Sequence, residues 1–131
     1  MSVKDFAEKF IKALEGAFEK GDFDALSKLE DPDVVYHTST RGDLVGHKAH
    51  RQDILDGRQT GSERKRQWEY LTGEGNLFAL SFRSSGRVTG EGLQGPSLIG
   101  KNLATHSLWV YRLKNGRIVE GWSNGSRTIT D

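Results

Sequence analysis

Cysteine is absent from this 131-residue chain, which excludes disulfides, thiol nucleophiles and thiolate metal sites. No apolar run approaches the length of a membrane span, and the opening Met1-Ser2-Val3-Lys4-Asp5 lacks a signal peptide's uninterrupted hydrophobic region. A cytoplasmic protein without membrane contact is expected. An excess of one charge is missing too: 19 lysines and arginines meet 18 acids, for a formal net charge of +1. Such a balance gives no general field for nucleic acid or an anionic lipid surface. The one basic cluster, Arg58 to Arg66 with Lys65, is interrupted by Gln59, Thr60, Gly61, Ser62 and Glu63, and fits a solvated loop entering a strand. Without cross-links, stability must come from packing, and the length suits one domain over residues 1–131 with room for a core and a cavity.

Local patterning supplies the elements. Val3, Phe6, Ala7, Phe10, Ile11, Ala13, Leu14, Ala17 and Phe18 recur at three- and four-residue spacing, opposite a charged face. They predict a long amphipathic helix, capped by Ser2 and stopped at Lys20-Gly21. A shorter helix after Asp22 turns Phe23, Leu26 and Leu29 inward and ends at Pro32, and Asp33 to Thr38 is β-branched and aromatic enough for a strand. Ser39 to Asp43 is a turn, and His47 to Leu55 a third helix with Gly57 just beyond. From Arg66 onward the pattern is β: Trp68 and Tyr70 alternate with polar residues, Gly73-Glu74-Gly75 forms a tight loop, and Phe78, Leu80 and Phe82 share a face. Gly90 to Pro96 is too glycine-rich for a strand and predicts a mobile loop. Helices first and four long antiparallel strands last imply an α+β domain, its helices covering one face of a curved sheet.

The closing segment carries the functional pattern. Asn115-Gly116 suits a two-residue type I′ hairpin turn. If Lys114 and Arg117 close it, Leu113 faces Ile118, Tyr111 faces Glu120, Trp109 faces Trp122 and Ser107 faces Asn124, all on one side. Paired tryptophans among a tyrosine, a carboxylate, a carboxamide and a hydroxyl suit a pocket for large rings; a half-buried face with packed tryptophans is the alternative.

Taken in order, Gly21-Asp22-Phe23-Asp24-Ala25-Leu26, Asp33-Val34-Val35-Tyr36-His37, Val45-Gly46-His47-Lys48-Ala49 and Trp109 to Trp122 resemble the nuclear transport factor 2-like superfamily, and within it the SnoaL-like polyketide cyclases and ketosteroid isomerase relatives. The resemblance implies a cystatin-like α+β barrel, a cone-shaped antiparallel sheet wrapped around N-terminal helices. It further implies a homodimer formed through the open sheet face and a pocket between the inner sheet face and the first helix. Ketosteroid isomerases carry a carboxylate base at the end of the first strand, where this chain has His37, and a protonated acid near the position of Trp109. SnoaL-like cyclases use an aspartate near the end of the domain, where this chain has Ser123, Asn124, Gly125 and Ser126. Glu120 is the nearest carboxylate.

These residues frame two expectations. One is a cofactor-independent enzyme acting by proton abstraction on a hydrophobic or polycyclic carbonyl compound, without metal. His37 would be its base and Glu120 its acid or second base, with Trp68, Phe82, Trp109, Tyr111 and Trp122 around the rings and Ser107 or Asn124 holding an oxygen. His50 would line the cavity and partner His37, as histidines do in the scytalone dehydratase branch, or lie at the surface. The other expectation is a dimeric small-molecule-binding domain that kept the pocket without the chemistry.

Overall fold

Ser2 opens the first helix, α1 (Val3–Lys20), by accepting the Asp5 N–H at 3.1 Å, and Gly21, at φ 69°, closes it in a left-handed conformation. A computed structural model describes residues 2–92 and 96–131 of the chain. Leu93, Gln94 and Gly95, part of the loop expected between Gly90 and Pro96, lie outside the described residues. After α1 come α2 (Asp24–Leu29), β1 (Glu30–Thr38), β2 (Gly42–Val45), α3 (Gly46–Arg58), β3 (Lys65–Glu74), β4 (Leu77–Arg87), a short 3₁₀ turn (Pro96–Leu98), β5 (Asn102–Lys114) and β6 (Arg117–Thr130).

The helices and the four long strands follow the hydrophobic periodicity closely. Two differences concern the first strand. Pro32 does not end α2; the helix stops at Leu29, and Pro32 lies within β1. There the parallel pairing of β1 with β6 is irregular between Glu30 and Val35, so a residue without an N–H is tolerated. Secondly, Gly42 and Asp43, expected in a turn, belong to the short β2, which pairs with β1 from Val35↔Val45 to Thr38↔Gly42.

The strands form one sheet in the order β2-β1-β6-β5-β4-β3. It is curved and unclosed, and antiparallel except for the β1–β6 pair. The helices cover one face, called inner here. Phe10 of α1 meets Tyr111 edge-on at 4.9 Å between ring centroids, and Phe78 stacks on Tyr111 at the same separation. Ala7, Phe10, Ala17, Val34, Tyr36, Leu80 and Ile118 are fully enclosed, and burial of this apolar surface is the main favourable term in folding. No helix among the described residues is long and apolar enough to cross a membrane.

The β5–β6 hairpin departs from the expected register. Asn115 (φ 54°) and Gly116 (φ 75°) form the turn, Lys114 faces Arg117 and Leu113 faces Ile118. One residue later the ladder slips at a β-bulge: Arg112 pairs with Glu120, Tyr111 with Gly121, Val110 with Trp122, Trp109 with Ser123, Leu108 with Asn124 and Ser107 with Gly125. Val119 is the extra residue. Since side chains alternate with period two, a one-residue slip sends every later residue of β6 to the other face. Trp109, Tyr111 and Ser107 are inner; Glu120, Trp122 and Asn124 are outer. The expected pairing of Trp109 with Trp122 is therefore corrected.

Candidate functional site

Three polar side chains meet on the inner face beneath α3. Glu30 begins β1, and even-numbered alternation puts it on the same side as Val34 and Tyr36. Its carboxylate is buried and accepts a hydrogen bond from the Tyr36 hydroxyl. His50, one turn into α3 and 7% exposed, brings Nδ1 to 2.7 Å from the same carboxylate oxygen, Glu30 Oε2. The approach is off the line of a good hydrogen bond, so Nδ1 is left without a directed partner and the contact is a short electrostatic one. Among the described residues no protein group bonds the other ring nitrogen, Nε2. His47, in the first turn of α3 and three residues before His50, donates from Nε2 to the Glu30 backbone carbonyl at 3.0 Å and pins the strand to the helix. Burial, and then the charge of Glu30, raises the Tyr36 hydroxyl well above the ordinary phenol range, which keeps it a donor. Tyr111 is raised for the same two reasons.

Aromatic rings continue from this cluster along the inner face. Tyr36 lies 4.4 Å from the His50 ring and edge-on to Trp109 at 5.9 Å, and Trp109 stacks on Tyr111. The Trp109 indole N–H donates to Ser107 Oγ at 3.2 Å, leaving the Ser107 hydroxyl proton for another acceptor. Two residues further along the same face of β5, Thr105 borders an open cavity of about 850 Å³. Phe18, Arg64, Arg66, Trp68 and Ser84 also line it, together with outer-face residues such as Lys65, Arg83, His106 and Ser126, so it is not confined to the inner face. Trp68 faces Phe82 across β3 and β4, their rings 4.9 Å apart, and Phe18 packs against both. Six sequence candidates thus share the inner face: His50, Trp68, Phe82, Ser107, Trp109 and Tyr111.

His37 and Glu120 come together on the other side of the sheet. His37 Nε2 lies 2.8 Å from Glu120 Oε2, and Nδ1 lies 2.9 Å from Asp43 Oδ1. Trp122 stacks on the imidazole at 5.8 Å, and the Arg112 guanidinium lies over that indole at 5.4 Å. His37 is about a third exposed (34%). Hydrogen bonds to Glu120 and Asp43 raise its pKa above the usual histidine value. Contrary to the expectation from the sequence, His37, Glu120, Trp122 and Asn124 therefore do not share a face with Trp109, and His37 is not the partner of His50. The Val119 bulge is the cause for the three β6 residues. His37 follows because it is adjacent to the inward Tyr36, and neighbours in a strand point to opposite faces.

Sequence reasoning missed Glu30. Its signal was the even spacing to Val34 and Tyr36, hidden because Pro32 suggested that the strand began later. The basic segment is also corrected: Arg64 is 8% exposed rather than solvated, its Nη1 donating to the Gly86 and Leu103 carbonyls and its Nη2 to Ser84 Oγ.

Helices packed on one face of a curved, unclosed sheet, with a polar cluster on that face beneath α3, make the nuclear transport factor 2-like fold. The chain belongs to the SnoaL-like polyketide cyclase family, whose model it matches over residues 8–126. It is similar in structure to a SnoaL-like candidate polyketide cyclase from Jannaschia sp. CCS1, at 15% identity and TM-score 0.76, covering 94% of this chain and 84% of that one. IdmH, a candidate polyketide cyclase from Streptomyces antibioticus, gives 22% identity and TM-score 0.73, covering 94% and 91%. AclR, a candidate hydroxylase from Streptomyces galilaeus, gives 17% identity and TM-score 0.73, covering 95% and 77%. At these identities the likeness is one of fold, and the differing activities named show why the site must decide function. Comparison with curated proteins gives no match.

Proposed function

We propose that this protein is a cofactor-independent cyclase or isomerase that moves a proton on a hydrophobic ring carbonyl compound, with His50 as its base. The observation that carries this reading is the buried His50 imidazole, held at 2.7 Å from Glu30 on one nitrogen while the other has no protein partner among the described residues. A neutral imidazole can take a proton from carbon next to a carbonyl near neutral pH, and an adjacent carboxylate stabilises the imidazolium that results. Glu30 is positioned for that second role, itself held by the Tyr36 hydroxyl. The enolate oxygen formed in the same step needs a donor, and Ser107, polarised by the Trp109 N–H, is the inner-face candidate. Trp109, Trp68 and Phe82 supply ring surface. Family membership favours carbonyl chemistry on such compounds over other uses of the fold.

The second reading, binding without turnover, draws on the near-complete enclosure of Glu30 and Tyr36, at 2% and 0% exposure, which also suits a structural cluster. Deuterium exchange next to the carbonyl separates the two. Bicyclic and tricyclic ketones incubated with the protein in heavy water should exchange faster than in buffer, and His50→Gln should slow this by about 10²–10⁴-fold, the usual contribution of a positioned base. A folded His50→Gln variant exchanging at the wild-type rate would sink the assignment, and wild-type exchange no faster than buffer would favour binding alone.

A further inference from the structure

The cavity beside the start of β3 gathers positive charge that the protein does not neutralise. Arg64 and Arg66 line the cavity of about 850 Å³, and Arg58, at the end of α3, stands close enough to Arg66 to disfavour its charge. Among the described residues none of the three forms an ion pair. Arg58 donates from Nε to the Phe18 carbonyl at 2.7 Å, and Arg66 donates from Nη2 to the Gly57 carbonyl at 2.7 Å and to Thr60 Oγ1 at 3.2 Å. The Nε and Nη1 groups of Arg66 have no acceptor among the described residues. Burial, together with Arg64 and Arg58, holds the Arg66 guanidinium below its ordinary pKa, a cost that a bound anion would offset. The one carboxylate in the lining, Glu19, is exposed. Aromatic surface adjoins the charge: the Arg66 guanidinium lies 5.2 Å from the centre of the Phe18 ring, and Trp68 lines the same cavity.

We propose that this cavity binds an ionised carboxylate carried on an aromatic ring, with the unpartnered Nη1 of Arg66 donating to the carboxylate and Trp68 and Phe18 taking the ring. A guanidinium N–H donates a charge-assisted hydrogen bond to a carboxylate oxygen, and arginines without acidic partners make the site selective for an anion over its neutral analogue. The proposal rests on the inner face being a substrate site and adds a substrate class: carbonyl compounds that also bear an acid group. Thr105, in this lining, shares its face of β5 with Ser107 and Trp109, the side on which the Tyr36–His50 cluster lies.

Calorimetry with three probes tests it. 2-Naphthoate should bind at least about tenfold more tightly than its neutral methyl ester, the scale of a charge-assisted hydrogen bond, and acetate should bind far more weakly than either naphthalene compound. Arg66→Gln should abolish the preference for the acid, and Arg66→Lys should restore part of it. Because Arg66 also bonds Gly57 and Thr60, a poorly folded variant is anticipated by a wild-type measurement: naphthoate affinity should fall with added salt while ester affinity does not. Equal affinity for acid and ester, or a preference unchanged by folded Arg66→Gln, would overturn the proposal. Its failure leaves His50-dependent exchange intact, whereas failure of the catalytic reading leaves naphthoate binding intact in His50→Gln.

Discussion

An imidazole gripped by carboxylates on both nitrogens is a different reagent from one with a nitrogen to spare. His37 is the first kind, its proton retained by Glu120 and Asp43; His50 is the second, with Glu30 on one side only. Nuclear magnetic resonance titration should find His37 ionising above the usual ~6.5. The sign for stability follows: a pKa raised by folding stabilises fully below the unfolded value and is lost as pH rises through the folded value. Unfolding measured across that range should therefore show a contribution that fades toward alkaline pH, and His37→Gln should remove it. A wild-type His37 titrating at or below the free value would contradict the two bonds. His37 was legible as an ionisable group at a strand end, but its face was not, since that depends on where β1 joins β6. Glu30 was concealed more simply, by a proline that happens to sit where the ladder is irregular.

Between residue and fold, the β5–β6 hairpin shows how far a local rule extends. Asn115-Gly116 specifies the turn and the first two pairs, and both formed as expected. The bulge at Val119 obeys a longer-range demand. Gly121 sits opposite Tyr111 and beside Tyr36, and an added Cβ there would come within 2.6 Å of the Tyr36 ring. Only glycine lets the two tyrosine rings lie this close to the strand, and the bulge is what brings glycine into line with them. Gly121→Ala should cost about 1–3 kcal/mol in denaturant unfolding, the usual penalty for overpacking, and should disturb the Tyr36–Glu30 contact. A variant as stable as wild type would mean that the tyrosines move freely. Nothing in the spacing of Trp109 and Trp122 could reveal this, because the clash involves a strand some eighty residues earlier in the chain.

For the molecule as a whole, the outer sheet face is the unfinished surface. Val45, Leu108 and Val110 are 64%, 52% and 40% exposed there, beside Trp122. Apolar residues gathered on an uncovered sheet call for a partner, and a second copy of this chain is the expected one. Light scattering at micromolar concentration should give twice the 14.6 kDa chain mass, and Leu108→Asp should shift the population toward monomer; a wild-type monomer would refute the pairing.

The parallel pairing of β1 with β6 carries a temporal meaning as well. Glu30 and Tyr36 lie against Ile118 and Gly121, near the far end of the chain, so the sheet beneath the polar cluster is complete only once β6 is made. Closing so long a loop is entropically more expensive than local pairing, so β1 is expected to join β6 after the β3–β5 meander has formed. The proposed site is thus expected to lie on the part of the sheet that is completed last.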